Sequence, residues 1–113
     1  MELRGLQRGD RGAVLDLWNR AAPHDALTAD LFEEKTWGDD DFDPDLAVVA
    51  LDDGCLAGIA VGVLREETGR GYIKLLAVEP ARQRHGIGML LLEAIEGGLA
   101  VKGAREIRLL ESA

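Results

Sequence analysis

The amino-acid sequence predicts an α/β (α+β) domain with a mixed, mostly antiparallel sheet and helices on both faces. Three patterns support this fold class. Apolar residues recur at helical spacing near the N-terminus and again within 87–99, whereas continuous apolar runs typical of strands occupy the middle of the chain. A short turn signal joins two of these runs, which indicates an antiparallel hairpin. A helix separates the last two predicted strands, and such a crossover makes them parallel neighbours.

The N-terminal part of the chain predicts one strand and two helices. Residues 2–6 are a short strand candidate, and Asp10 is the expected N-cap of the first helix. Pro23 ends this helix, because proline cannot continue one. A shorter helix is expected to begin near Thr28 and to end around Trp37, before an aspartate-rich loop. The residues expected to face the core are Ala13, Val14, Leu17, Trp18 and Ala21 in the first helix, and Leu31 and Phe32 in the second.

Three antiparallel strands are predicted next. The apolar run 46–51 is followed by the turn signal Asp52-Asp53-Gly54 and by a returning strand over 55–64. One face of the returning strand is small enough for a backbone or a ligand to approach closely. The larger face carries Ala57, Ile59, Val61 and Val63, and the smaller face carries Leu56, Gly58, Ala60 and Gly62. A second turn leads to the third of these strands, over 72–78.

A long helix and a last strand complete the predicted order β-α-α-β-β-β-α-β. Gly103 is suited to cap the C-terminus of this helix, because glycine readily adopts left-handed backbone angles. Residues 106–111 are the last predicted strand. The core stripe expected on the helix is Ile87, Leu91, Ala94, Ile95 and Leu99.

Composition and charge restrict the function. The 113 residues carry a net charge of −8, which argues against nucleic-acid binding through a basic surface. The excess of negative charge lies in residues 1–53, which carry 14 acidic and 5 basic side chains. Residues 54–113 carry 7 acidic and 8 basic ones. No apolar run reaches the roughly 18–20 residues of a membrane span, and the N-terminus lacks a signal-peptide pattern. We therefore expect a single cytoplasmic domain over 1–113 with no membrane partner.

Neither a metal site nor a disulfide framework is predicted. Cys55 is the single cysteine, which excludes an internal disulfide and any multi-cysteine zinc site. The aspartates within 39–45 lack the glycine and the terminal glutamate of an EF-hand loop. We expect them to form a solvated surface.

The segment between the third of these strands and the long helix is the candidate functional site. The first turn of a helix carries unpaired backbone N–H groups and a positive dipole end. Gly86 and Gly88 leave room beside these groups, and Arg82, Arg84 and His85 add further donors. The pattern predicts a cradle for an anion, most naturally a pyrophosphate. An ordinary strand–loop–helix turn is the alternative, and the sequence matches neither a P-loop nor a dinucleotide-binding fingerprint.

The loop resembles the diagnostic Arg/Gln-x-x-Gly-x-Gly/Ala pattern of the GCN5-related N-acetyltransferase (GNAT) superfamily. It reads Gln83-Arg84-His85-Gly86-Ile87-Gly88, preceded by Val78-Glu79-Pro80 at the end of a strand. The resemblance implies that acetyl-CoA is the acyl donor. The backbone amides implied to hold its pyrophosphate are those of Arg84, His85, Gly86, Ile87, Gly88 and Met89, supported by the side chains of Gln83 and Arg84. The backbone implied to pair with its pantetheine arm is that of Leu76, Ala77 and Val78.

The resemblance also implies the reaction, in which an amine attacks the thioester directly. Some members carry a glutamate base where this chain has Tyr72, and Glu111 lies near the end of the last strand, so both are weak catalytic candidates. Trp37 and the aspartates at 39–41 are possible contacts for the acceptor. Full members continue beyond the fifth strand, so we expect the chain to be truncated there. A homodimer is possible.

Two other functions stay open from the sequence. The domain could be a non-catalytic acyl-CoA-binding module, such as the inactive half of a tandem acetyltransferase. It could also be a structural or partner-binding α/β domain without a ligand.

Overall fold

The computed structural model describes residues 1–110 as a five-stranded sheet with helices on both faces. The strands stand in the order β1-β2-β3-β4-β5, and every neighbouring pair is antiparallel except β4 and β5. The elements are β1 (Glu2–Gly5), α1 (Arg11–Ala21), α2 (Ala29–Lys35), β2 (Phe42–Asp52), β3 (Cys55–Arg65), β4 (Arg70–Val78), α3 (Ile87–Val101) and β5 (Glu106–Leu109). The predicted fold class, element order and parallel crossover are therefore confirmed. No helix within 1–110 is long and apolar enough to cross a membrane.

The helices cover opposite faces of the sheet and bury two separate clusters. Helices α1 and α2 pack on one face, where Trp18 and Phe32 are the largest buried side chains. Helix α3 packs on the other face through Ile87, Leu91, Ile95 and Leu99. Ala13 and Ala94 were expected in these core stripes, but both are exposed. Each stripe is narrower than the sequence pattern, because larger neighbours on the same helix fill the space above the sheet.

The small face of β3 receives helix α3. A Cβ atom added at Gly58 would lie 2.7 Å from Leu91 Cδ1, and one added at Gly62 would lie 2.6 Å from Ile95 Cγ2. The sequence left two occupants open for this face, a closely packed backbone or a ligand. The structure shows that helix α3 occupies it. Leu56 and Ala57 each lie on the face opposite to the one predicted. The cause is a bulge in β3: Ala50 pairs with Gly58 and Leu51 with Leu56, so Ala57 is an extra residue.

Two turns have the backbone geometry that the sequence predicts. Asp53 and Gly54 have φ angles of 53° and 77°, as a two-residue hairpin turn requires. Gly103, with φ 99°, follows α3, and the N–H of Ala104 bonds the carbonyl of Leu99 at 2.9 Å. This is a Schellman cap, which confirms the role predicted for Gly103.

The start of α1 differs from its prediction. Asp10 precedes the helix, but its own backbone is helical and its side chain caps no helical N–H. Its carboxylate instead accepts the N–H of Gln7 at 2.8 Å and two hydrogen bonds from Arg4 at 2.8 and 2.9 Å. Asp10 therefore ties β1 to α1. Thr28 does cap α2, since its hydroxyl accepts the N–H of Leu31 at 3.1 Å.

Candidate functional site

Strand β4 contains a bulge in its middle. Val61 pairs with Leu75 and the next residue of β3, Gly62, pairs with Ile73, so Lys74 is an extra residue on β4. The bulge turns the side chains on its two sides to opposite faces of the sheet. Ile73 packs with α3, whereas Leu75 packs with α1 and α2. A continuous strand would place residues two apart on one face, so the bulge redirects the second half of β4.

The backbone groups of β4 change direction at the same point. Before the bulge, the carbonyl of Ile73 faces β5 and accepts the N–H of Leu110 at 2.8 Å. After it, the N–H of Glu79 bonds the carbonyl of Ala57 on β3 at 2.8 Å. Because hydrogen-bonding direction alternates along an antiparallel strand, Ala77 faces β3, whereas Leu76 and Val78 direct their peptide groups to the other edge. That edge is unpaired beyond Ile73 within the described part of β5.

The loop after β4 brings the N-terminus of α3 next to this edge. Arg84 and Gly86 adopt left-handed backbone angles, with φ of 73° and 82°. The first helical hydrogen bond runs from the N–H of Leu90 to the carbonyl of Gly86 at 3.1 Å. The amides from Ile87 to Met89 therefore have no acceptor within residues 1–110. Gly88 lies against Val78, because a Cβ atom there would be 3.5 Å from Val78 Cγ2.

The polar side chains of the loop divide into free and engaged groups. Arg84 and His85 are exposed. The Gln83 amide donates to the carbonyl of Val78 at 3.3 Å and so fastens the loop to the end of β4. Arg82 was expected to serve as an anion donor, but its guanidinium pairs with Asp52 at 2.9 Å.

Glu79 connects the loop to the other face of the sheet. Arg20 of α1 donates three hydrogen bonds to the Glu79 carboxylate, the shortest at 2.5 Å. This guanidinium lowers the pKa of Glu79 below its usual range. The role of Arg20 could not be inferred from the sequence, since 59 residues separate the partners. Glu79 is thus a structural tie at the start of the loop.

Of the two weak catalytic candidates, Tyr72 and Glu111, the structure describes only Tyr72. Tyr72 is half-buried and lines a cleft of about 370 Å³. The other residues of this cleft are Asp41, Arg65, Glu66, Glu67 and Thr68. Glu111 lies outside the described residues. In the described range, no group of three or more histidine, cysteine or acidic side chains could hold a metal ion.

Asp39 is the centre of a buried ion cluster beside the bulge. Its carboxylate accepts hydrogen bonds from Arg65 at 2.7 and 2.8 Å, from Lys74 at 2.5 Å and from the N–H of Asp41 at 2.9 Å. The Arg65 guanidinium is the main cause that holds the pKa of Asp39 far below its usual value, with Lys74 adding to it. Lys74 is itself buried.

The expectations for the acidic segment are therefore wrong in part. Asp39 was expected in a solvated surface and, as an alternative, among the acceptor contacts, but its carboxylate is occupied by protein donors. Asp43 pairs with Lys102 at 2.7 Å and lies within β2 rather than in a loop. Trp37 packs edge-on against Phe32 and at a tilt against Phe42, with ring centroids 6.2 and 5.3 Å away, and Arg8 covers its ring at 4.6 Å.

A protein-family model matches nearly the whole chain. The model of the Acetyltransferase (GNAT) family matches residues 12–112. No match was found among curated proteins.

Solved structures share the fold. Ard1 from Thermoplasma volcanium superposes with a TM-score of 0.78 at 22% identity, over 96% of this chain and 69% of that one. The ribosomal-protein-S18-alanine N-acetyltransferase from Escherichia coli gives a TM-score of 0.78 at 21% identity, over 91% and 61% of the two chains. A GNAT family acetyltransferase from Brucella melitensis, in complex with acetyl-CoA, gives a TM-score of 0.72 at 23% identity, over 99% of this chain and 76% of that one. The chain thus spans about two thirds of the first two structures.

Proposed function

The chain belongs to the acetyltransferase (GNAT) family, and we propose that it binds acetyl-CoA between the open edge of β4 and the N-terminus of α3 and transfers the acetyl group to a primary amine. The observation that carries this proposal is the position of the unpaired amides of Ile87, Gly88 and Met89 next to the peptide groups that Leu76 and Val78 direct to the open edge of β4. The first group suits a diphosphate and the second suits the amides of a pantetheine arm. The match of the family and a neighbour in complex with acetyl-CoA support the same donor.

The residues of the loop divide the binding task. The positive dipole end of α3 and the exposed Arg84 and His85 attract and contact the diphosphate. Gln83 holds the carbonyl of Val78 and so keeps the loop in register with β4. The arm would add to the sheet beside Leu76 and Val78, as an extra strand does. Ala77 supports this arrangement through its bonds to β3 rather than by contacting the donor.

The chemistry required of the protein is limited. The amine nitrogen attacks the carbonyl carbon of the thioester, the C–S bond breaks, and the CoA thiolate takes up the proton that the amine loses. The N–H of Val78, on the open edge of β4, stabilises the developing oxyanion in this proposal. Holding both reactants in one geometry supplies most of the acceleration. We include Tyr72 and Glu111 as candidates for proton transfer, with Tyr72 at the wall of the neighbouring cleft.

One observation favours a second candidate, a non-catalytic acyl-CoA-binding module. Arg65 and Lys74, which lie beside the bulge, are engaged by Asp39, and the carboxylate of Glu79 at the end of β4 is engaged by Arg20. Acetyl-CoA would then bind without an acceptor. The cradle is the same in both candidates.

Two experiments test the proposal in sequence. Calorimetry of the full chain with CoA should give heat with one-to-one stoichiometry, and a folded protein without heat would exclude both candidates. Thiol release from acetyl-CoA, measured with a panel of primary amines, then separates enzyme from binding module. Amine-dependent release identifies the transferase, whereas CoA binding without release identifies the module.

A further inference from the structure

The bulge of β4 is held from outside the sheet. Lys74 is the extra residue of the bulge, and its side chain is only 9% exposed. An ammonium group buried to this extent has to be paired, because an unpaired buried charge is costly. Its partner, Asp39, belongs to the loop between α2 and β2, whose flanking residues Trp37 and Phe42 pack against the cluster on the face covered by α1 and α2.

The carboxylate of Asp39 also bonds to the neighbouring strand, β3. Arg65, near the end of β3, donates both of its terminal nitrogens to Asp39. The loop, β3 and the bulge of β4 therefore meet at one anion. A bulge interrupts the ladder of hydrogen bonds and is locally weak, so an outside tie has a larger effect there than in a continuous strand.

We infer that Asp39 is a positioning residue: by holding Lys74 and Arg65 together, it fixes the bulge of β4 and so the direction of the Leu76 and Val78 peptide groups. The last step, from these peptide groups to CoA affinity, rests on the proposed function. Asp39 touches neither donor nor acceptor in this role. It acts through Lys74 and the backbone.

The chain offers a matched control in Asp10. This residue also accepts two hydrogen bonds from an arginine, Arg4, and one from a backbone N–H, that of Gln7. Its side chain is 12% exposed, compared with 9% for Asp39. Its carboxylate bonds to β1, which two strands separate from β4 in the sheet. Asp39→Asn and Asp10→Asn therefore each remove an arginine–carboxylate pair, and only the first also removes a contact with the bulge.

The experiment measures CoA affinity by calorimetry and amide exchange by NMR on the full chain. Asp39→Asn should weaken CoA binding about tenfold, as expected for a small displacement of positioned groups. It should also accelerate exchange at the Leu75 and Ala77 amides, which bond β3 beyond the bulge, more than elsewhere in the sheet. Asp10→Asn should leave both quantities at their wild-type values. Equal effects of the two variants would overturn the inference.

A double variant separates positioning from mere stability. Asp39→Asn with Lys74→Met removes the unpaired ammonium, while Arg65 keeps its bond to Asp41 at 2.8 Å. The double variant should recover stability, since an uncompensated buried charge is the main cost of breaking such a pair. CoA affinity should stay reduced and the Leu75 and Ala77 amides should stay fast. Recovery of affinity together with stability would refute the positioning role. If Asp39→Asn alone does not fold, this double variant carries the same comparison.

The exchange measurement also distinguishes the two levels of the proposal. Wild-type protein that gives no heat with CoA would refute the proposed function. The Leu75 and Ala77 amides, measured without any ligand, would still decide whether Asp39 fixes the bulge.

Discussion

Gly86 and Gly88 belong to one short pattern, yet they serve the loop in different ways. Gly86 has φ 82°, and a Cβ atom there would meet no other atom within 4 Å. Its requirement is conformational, because side chains with a Cβ rarely adopt this backbone angle. Gly88 has no such angle, and a Cβ atom there would make an ordinary contact with Val78 at 3.5 Å. In the proposed function, the open space at Gly86 receives the diphosphate of the donor.

Gly86→Leu is the first prediction at this scale. The left-handed backbone angle should cost about 1–2 kcal/mol of unfolding free energy, and the side chain should abolish CoA binding by filling the cradle. Gly54→Leu is the matched control, because Gly54 has φ 77° with nothing within 4 Å of its Cβ position, on the β2–β3 turn. Urea denaturation should give similar losses for both variants, while calorimetry should show CoA binding only in Gly54→Leu. Normal CoA affinity in Gly86→Leu would refute the assignment of the loop.

Individual residues differ in how far their positions can be predicted. The loop from Gln83 to Gly88 is readable because its features are local: glycines, basic residues and a helix start. The contact between Asp39 and Lys74 is not readable, since 35 residues separate the partners and a bulge decides where Lys74 points. Alternation along β4 predicts the face of each side chain only as far as the bulge.

Helix α3 is positioned by the glycines of the strands beneath it. Besides Gly58 and Gly62 on β3, Gly71 on β4 lies close to α3, with its Cβ position 3.0 Å from Leu99 Cδ2. Because these three glycines have no side chains, the helix can approach the sheet closely. The amides at the N-terminus of α3 thereby come level with the end of β4, so the depth at which the helix packs also sets the geometry of the cradle.

Gly62→Ala should destabilise the protein. The added methyl group would lie 2.6 Å from Ile95 Cγ2, a branched and fully buried group that cannot swing aside. Overpacking of this kind costs about 1–3 kcal/mol. Thermal or urea denaturation measures the loss.

Gly97→Ala is the control for added methyl groups. Gly97 lies within α3, and its Cβ position has no neighbour within 4 Å. Alanine should stabilise the helix by about 0.5–1 kcal/mol relative to glycine. A stability gain in Gly62→Ala as well would show that α3 is not held against β3 in the way described.

Elements are predicted best where their signals are local. The crossover and the hairpin follow from turn residues and periodicity, and both are confirmed. The start of β2 was missed because Asp43 and Asp45 have low strand propensity. Their ion pairs with Lys102, at 2.7 and 3.3 Å, come from the far end of α3, so a tertiary contact overrides the local preference.

The charge asymmetry of the chain has a structural use at the scale of the whole molecule. Residues 1–53 are strongly acidic and residues 54–113 slightly basic, and several ion pairs join the two parts. These pairs are Asp39 with Arg65 and Lys74, Asp43 with Lys102, Asp52 with Arg82, and Arg20 with Glu79. The acidic part is thus held to the part that carries the cradle, and this arrangement depends on pH.

Acid should therefore weaken the fold, with Asp39 contributing most. Neighbouring cations hold the pKa of Asp39 below its unfolded value, so below the ordinary carboxyl pKa of about 4 the unfolded chain binds more protons. Stability contributed by this carboxylate is complete above that pH and is lost progressively as the pH falls. The deficit in unfolding free energy caused by Asp39→Asn should accordingly be largest at neutral pH and shrink between pH 4 and pH 2, about the range in which the wild type loses the same contribution. Urea denaturation across this range measures it.

Asp40→Asn is the control, because Asp40 is exposed and forms no hydrogen bond or ion pair with the rest of the described chain. Its difference from the wild type should stay small and constant with pH. The two neighbouring substitutions remove the same charge from the same loop, so general charge repulsion affects both alike. A constant deficit for Asp39→Asn would mean that the ion cluster does not couple the halves of the molecule to pH. A deficit that shrinks only for Asp39→Asn assigns the acid sensitivity to the tie between the α2–β2 loop and the bulge of β4.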